Sequence, residues 1–334
     1  MCKVPRETRV DELVDAIVVH HNRIDLTGRC VEALARDEGP LRTVTIIDSG
    51  SVTPIADSQR ELWVKLLDRR REGRRPIGLF VESLKENVGF AEGNNHGLAL
   101  RIRDGAGFYL ILNNDAYLGP RTLTLMVDTA LESGTAMVAP AVYRADAPEQ
   151  VDRFGLTLTK SGAGYDRKNE SDGPLLCPSG CAALYRRDLV LELMGDPEGF
   201  FDRRFEAYAE DLDTGLRARA RGYRVAFASD ARVLHEGSAS FGQSSPRAHF
   251  LRHRNTIWAI AKNYSTGLLF REGFWLALGQ LAGIANAVRN RKFKVAVRGK
   301  LKGFAGWRRM RQLSRNNARL TCPRLLDRRL WIHR

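Results

Sequence analysis

Four short runs rich in β-branched and aromatic residues, at 15–21 (DAIVVHH), 44–48 (VTIID), 77–81 (IGLFV) and 108–112 (FYLIL), alternate with stretches of helical spacing at 26–36, 55–71, 90–101 and 122–131. Strands that alternate with helices predict a parallel sheet in a layered α/β fold. Ligands of such sheets bind outside the carboxyl ends of the strands. Polar residues stand there in this chain: Asn22 and Arg23 after the first run, Asp48 at the end of the second, and Asn113, Asn114 and Asp115 after the fourth. A further strand is expected at 136–139. From about residue 143 the pattern becomes irregular and rich in glycine turns. Strand-like runs return at 181–185 and 224–228, with helices at 189–194 and 210–221, and from about 246 the chain reads as helices.

A chain of 334 residues holds one or two domains, and its 43% hydrophobic and 28% charged content fits a packed globular protein rather than a disordered one. The net charge of +14 is concentrated at one end, because residues 286–334 carry 16 Lys or Arg and a single acid, Asp327. Such a block attracts anionic lipid, nucleic acid or an anionic substrate; the plainer reading is a solvated helix face. The most apolar stretch, 274–288 (FWLALGQLAGIANAV), is shorter than the roughly 20 residues that span a bilayer. With the basic residues that follow, it fits a helix lying in a membrane interface, or alternatively a buried core helix.

The five cysteines, Cys2, Cys30, Cys177, Cys181 and Cys322, are odd in number and scattered, which argues against a disulfide framework. Cys177 and Cys181 lack the second pair that a zinc site needs. Free thiols fit a reducing compartment. The charged N-terminus (MCKVPRETRVDELVD) has no apolar core of the kind a signal peptide carries. The expected location is the cytoplasm, including the inner face of the plasma membrane.

Four features carry candidate chemistry. Asp115, in LNND after an apolar strand, is placed to hold Mg²⁺ or Mn²⁺ shared with phosphate oxygens, although an Asp in such a turn is more often a cap. Glu210 and Asp211 open a helix, where acids satisfy the dipole; a carboxylate there is also kept ionised, as a general base requires. His235, after a strand-like run, is of the type that completes a transition-metal site, and lone histidines are more often structural. The segment 87–95 (NVGFAEGNN) has two glycines and three asparagines between a strand and a helix, suited to bringing backbone amides to a ligand. It matches neither a P-loop nor the dinucleotide fingerprint.

The order of these pieces resembles the family-2 glycosyltransferases with the GT-A fold, and within them rhamnosyltransferase-like and galactofuranosyltransferase-like members. The matching segments are VVHHNR, IIDSGS, ENVGFAEGNNHGLA, YLILNNDAYLGP, SGCAALYRRDL, GFFDRRFEAYAEDLD and VLHEGSAS. The resemblance implies a catalytic domain over 12–245, a helical and basic region over 246–334, and inverting transfer of a sugar from a nucleotide-sugar donor. It implies that His20, Asn22, Arg23 and Asp48 line the nucleotide pocket, that Asn87, Gly89 and Asn94 shape the donor side, and that Asn113, Asn114 and Asp115 stand at the D-x-D position. It further implies Asp115 and His235 as ligands of Mn²⁺ or Mg²⁺, Asp211 as the catalytic base, and Glu210 as an acceptor contact or loop support. The donor suggested is deoxythymidine-diphosphate-rhamnose or a uridine-diphosphate sugar, and the acceptor a glycan or lipid-linked glycan. Three positions depart from the pattern: Asn113 replaces the first Asp of D-x-D, Val52-Thr53-Pro54 lacks the second Asp that often follows D-x-G-S, and Arg203 replaces an acid in G-G-F-D-E. The Arg254-Asn255 pair fits a sequence common after the catalytic domain, with no role assigned.

Two other readings compete. A sugar nucleotidyltransferase would release pyrophosphate rather than nucleoside diphosphate. A nucleic-acid module would need aromatic residues beside the basic tail, where Trp307 and Trp331 are too sparse, so no nucleic-acid partner is expected.

Overall fold

A computed structural model describes residues 10–68, 76–237, 245–313, 319–321 and 326–327. Residues 69–71 of the expected helix at 55–71, the end of the VLHEGSAS segment after Gly237, Cys2, Cys322, Trp331 and much of the basic C-terminal tail lie outside the described residues.

The expected alternation is present. Strands β1 (Val14–His20), β2 (Leu41–Ser49), β3 (Gly78–Leu84) and β4 (Phe108–Asn113) are separated by α1 (Ile24–Arg36), α2 (Asp57–Asp68) and α3 (Gly89–Arg101). Then follow β5 (Ala116–Leu118), α4 (Thr122–Ser133), β6 (Met137–Arg144), β7 (Val151–Arg153), β8 (Leu156–Thr159), β9 (Gly164–Asp166), β10 (Ala182–Arg186), α5 (Arg187–Met194), α6 (Glu210–Ala220) and β11 (Val225–His235). The C-terminal part holds α7 (Pro246–Asn263), α8 (Thr266–Arg289), α9 (Phe293–Ala305), α10 (Trp307–Leu313) and the short β12 (Leu326–Asp327).

The main sheet runs β3-β2-β1-β4-β10-β6-β11-β5, with β7 on β6. Its first four strands are parallel, because each crossover carries a helix or a comparably long connection. The other half is mixed: β10 is antiparallel to β4 and β6, while β11 is parallel to β6 and antiparallel to β5. The chain moves outward from β1 to β2 and β3, then returns to place β4 on the other side of β1. In such sheets a reversal of this kind marks the crevice where ligands bind, here at the carboxyl ends of β1 and β4.

The strands that sequence patterning misses, β5, β7, β8 and β9, have three or four residues each, too few to show a period. The run expected at 224–228 continues to His235 after an irregularity in register between Ala228 and Arg232.

Apolar cores fill both faces of the sheet. One holds α1, α2 and α4 against Val14, Val18, Val44 and Leu110. The other packs α3, α5, α6 and α7 against Ile17, Tyr109, Ile111 and Ala183. Gly93 explains the close seat of α3: a Cβ there would come within 2.9 Å of Val19. The segment 87–95 is therefore less open than its composition suggests, because α3 already begins at Gly89.

Helix α7 is bonded into the α6 side of the molecule. Lys262 Nζ lies 3.0 Å from Glu198, 2.7 Å from Asp202 and 2.8 Å from Asp213, all fully buried. Asn263 donates to the other oxygen of Asp213 at 2.7 Å. Helix α8 is not a buried core helix: only Leu268, Glu272 and Ala287 are buried along its 24 residues. Among the described residues no helix is long and apolar enough to cross a membrane.

Removing the Lys262 ammonium would leave three buried carboxylates short of their shared cation. Lys262→Met is expected to lower the unfolding free energy by about 3–5 kcal/mol in urea titration; an unchanged midpoint would show that the cluster contributes nothing net.

Candidate active site

The crevice wall is built at the ends of β1 and β2. His20 is buried and shares a 2.7 Å hydrogen bond with Thr27 Oγ1, to which Asn114 also donates at 3.1 Å. Burial lowers the His20 pKa from its usual value against the opposing field of Asp48, so its ring is neutral near pH 7. Asp48 closes the turn that follows it, accepting from the backbone N–H groups of Ser51 (3.2 Å) and Ile55 (3.3 Å). Asn22 is left-handed, at φ 59°. It links two loops, donating its backbone N–H to Ser51 Oγ and accepting from Val52, both at 2.8 Å.

Asn87 accepts from Ser49 Oγ (3.2 Å) and from the N–H of Gly89 (2.9 Å), where the chain turns left-handed at φ 78°. Asn94 is buried and donates back to Phe90 of its own helix at 2.9 Å. Arg23 pairs with Asp25 at 2.7 Å on the surface. Most of the residues expected on the donor side are thus engaged in shaping the loops around the crevice. The carbonyl of Asn113 faces the Cys30 thiol at 3.7 Å.

The second group forms across the curled half of the sheet. Ala116 pairs with His235 between β5 and β11, and Glu236 donates its N–H to the carbonyl of Asp115 at 3.0 Å. This register puts Asp115 Oδ1 3.4 Å from His235 Nε2. The other ring nitrogen, Nδ1, is 2.8 Å from Oδ2 of Asp152 on β7, and Asp152 is held in turn by Arg153 Nε at 3.0 Å. Burial opposes a charge on His235, yet Cys181, Asp115 and Asp152 outweigh it and raise its pKa to about 12. Near neutral pH the imidazole is therefore charged, and it would give up its Nε2 proton to ligate a metal. Sequence reading missed Asp152, which sits in a three-residue strand with no motif around it.

Among the described residues no three His, Cys, Asp or Glu gather as metal ligands. A two-ligand site completed by phosphate and water is the arrangement that hard divalent cations accept. Neighbouring ligands of an octahedral ion with bonds near 2.1 Å stand about 3 Å apart. The 3.4 Å between Asp115 and His235 is compatible with both on one ion. A carboxylate on the far nitrogen, as Asp152 provides, is the usual means of orienting a ligating histidine.

The third group is the dyad that opens α6. Asp211 Oδ2 accepts from Gly180 N–H at 3.0 Å and Oδ1 from Leu212 N–H at 2.7 Å. Burial raises the Asp211 pKa and these two N–H donors oppose the rise. Glu210 is buried, and its Oε2 has no hydrogen-bond partner among the described residues. Burial and the adjacent charge of Asp211 push its pKa up to about 8. Near neutral pH Glu210 is therefore largely protonated, and Asp211 is the acid of the two that backbone N–H groups hold. The Asp115–His235 pair and the dyad are linked through two adjacent residues: the Gly180 N–H bonds Asp211, and the Cys181 side chain acts on His235.

The loop before the dyad is strained, with Glu206, Tyr208 and Ala209 all left-handed. Such non-glycine positions cost about 1–3 kcal/mol each and persist only when their surroundings hold them. Helix α7 supplies the hold. Asn255 Nδ2 reaches the carbonyls of Phe205 (2.8 Å), Ala207 (2.9 Å) and Tyr208 (2.6 Å), and Arg254 bonds Glu206 (2.6 Å) and the carbonyl of Phe205 (3.1 Å). The sequence showed this pair without showing its contacts. Arg203, the departure from the acidic motif, lies at the surface with Glu92 at 3.9 Å.

Residues 15–194, more than half of the chain, match the family model Glycosyl transferase family 2. The chain belongs to that family. The match ends before Glu210, so the dyad and His235 rest on the geometry just described. An uncharacterized protein of Mycobacterium tuberculosis is 27% identical over 228 residues, covering 68% of this chain and 82% of the relative. The N-acetylglucosaminyl-diphospho-decaprenol L-rhamnosyltransferase of the same species is 27% identical over 141 residues, 42% of this chain and 44% of that enzyme. Among solved structures, the mannosyltransferase PcManGT of Pyrobaculum calidifontis, in complex with GDP-Man and Mn²⁺, superposes with TM-score 0.53 at 16% identity over 93% of this chain and 88% of that one. GalNAc-T7 with UDP, GalNAc and Mn²⁺ gives 0.58 at 13% identity over 89% of this chain and 56% of that one. The glycosyltransferase has the GT-A fold.

The raised Glu210 pKa has a consequence for stability. A carboxyl whose folded pKa exceeds its unfolded value stabilises the fold below the unfolded pKa, and that contribution is lost as pH rises through the folded pKa. Stability should therefore fall between about pH 4.5 and about pH 8 on account of this group. Glu210→Gln is expected to flatten that part of the profile in urea unfolding at pH 5 and pH 8. Parallel profiles for the two proteins would contradict a buried protonated Glu210.

Proposed function

We propose that this glycosyltransferase moves a sugar from a nucleoside diphosphate donor to an acceptor hydroxyl by a single displacement that inverts the anomeric carbon. The observation that carries the proposal is the adjacency of Gly180, which bonds Asp211, and Cys181, which acts on His235. This adjacency supports reading Asp211, the candidate base, and the pair Asp115 and His235 as parts of one site.

In this reading Asp211, charged and held by two backbone N–H groups, takes the proton of the acceptor hydroxyl as its oxygen attacks. The leaving diphosphate departs from the opposite face. Protonated Glu210 presents a neutral donor to the acceptor and leaves its neighbour as the one base. Asp115 and His235 hold Mn²⁺ or Mg²⁺, with Asp152 fixing the imidazole. When bound, such a cation offsets the charge that builds on the diphosphate. The loops carrying His20, Asn22, Asp48 and Asn87 bound the nucleoside side of the crevice. The similarity to a decaprenol-linked rhamnosyltransferase supports a deoxythymidine-diphosphate-rhamnose or uridine-diphosphate-sugar donor and a lipid-linked glycan acceptor in cell-surface glycan assembly.

Asp211→Asn should reduce transfer by about 10²–10⁴-fold while donor affinity stays within a few fold. Lost donor binding with an intact fold would remove the base assignment. Asp115→Ala should abolish the Mn²⁺-dependent rise in melting temperature that nucleoside diphosphate confers, and Asp152→Asn should weaken the apparent Mn²⁺ affinity about 10–100-fold. Titrations indistinguishable from the parent protein would refute the metal pair.

A further inference from the structure

Helices α8 and α9 follow one another through a short turn and pack together where Gly283 meets Lys300. Their inner sides are accounted for. Gly279 leaves room for Ser161, and Gly299 and Gly303 of α9 sit against His253 and Ile257 of α7. Their outer sides have no cover among the described residues. On α8, Phe270, Phe274, Leu281 and Val288 recur at spacings of four and seven, which aligns them along one helix face. On α9, Leu301 and Phe304 project likewise. Eight large hydrophobic side chains are described as more than half exposed, and these are six of them.

The surroundings of this stripe are of one sign. Between residues 273 and 313 there are ten Lys or Arg and no Asp or Glu. Arg289, Arg291, Lys294, Arg298 and Lys302 are exposed beside the apolar faces. An apolar stripe with cationic flanks, on helices not built to cross a bilayer, fits a surface that is greasy within and anionic at its boundary. A second copy of this chain would bring the same cations face to face, which charge complementarity disfavours.

We propose that the outer face of α8 and α9 docks this protein onto an anionic phospholipid membrane, with Phe270, Phe274, Leu281 and Val288 entering the interface and the flanking cations engaging lipid phosphates. The proposal stands apart from the sugar-transfer reading, since docking requires neither donor nor metal.

The test is sedimentation of the full chain with vesicles. Vesicles of phosphatidylcholine with about 30 mol % phosphatidylglycerol should carry the protein down, and phosphatidylcholine alone should carry little. Phe274→Gln with Leu281→Gln keeps every charge and suits a helix. This double variant should bind the anionic vesicles about tenfold more weakly at an unchanged melting temperature. Failure of the parent protein to bind anionic vesicles would overturn the proposal. So would a double variant that binds as the parent does, since charge alone would then suffice. A lipid-free dimer by light scattering, broken by the same double variant, would overturn it in favour of a second copy covering this face.

Discussion

Two residues, Asn114 and Asp115, join β4 to β5, yet the strands stand four places apart in the sheet. In a flat sheet four neighbours span about 19 Å, whereas the three Cα steps from Asn113 to Ala116 reach at most about 11 Å. The sheet must curl. That curl brings the end of β11 against the β4–β5 link, so His235 arrives beside Asp115. Strand β7 pairs antiparallel with β6, and its Asp152 meets the far nitrogen of the imidazole. The cluster of Asp115, His235 and Asp152 is a consequence of how a short link closes a mixed sheet.

A second constraint is electrostatic. The α6 end of the molecule buries the carboxylates Glu198, Asp202, Asp213 and Glu210 close together. Lys262 and Arg217 balance those behind the helix, with Arg217 Nε 3.0 Å from Asp213. Among the described residues no cation pairs with Glu210, and protonation is the cheaper solution for a buried acid next to another acid. Two adjacent acids in the chain therefore have different surroundings: Asp211 is bonded to backbone N–H groups, and Glu210 Oε2 has no partner among the described residues.

Helix α7 connects these features. Its Arg254 and Asn255 hold the left-handed loop that leads into the dyad, and about two turns later Lys262 and Asn263 hold Asp213 on the dyad's own helix. The outer helices α8 and α9 pack on α7 and on the Ser161 turn rather than on the crevice. The surface proposed to meet lipid and the site proposed to transfer sugar thus share a support without sharing residues.

Local pattern was enough for the first half of the fold. The runs ending at His20, Asp48 and Asn113 are apolar, periodic and separated by helical spacing, and each is a strand with polar residues at its carboxyl end. The order of the motifs around them identified the family, and the apolar stripe of α8 with its basic flanks was visible as composition. What the tertiary structure alone decided is of another kind. The mixed sense of β10 and β5, the partnership of Asp152 with His235, the contacts of adjacent Gly180 and Cys181 with Asp211 and His235, and the grip of Asn255 on three carbonyls all join residues remote in the chain. Their pairing depends on sheet register and curl, which no local period encodes.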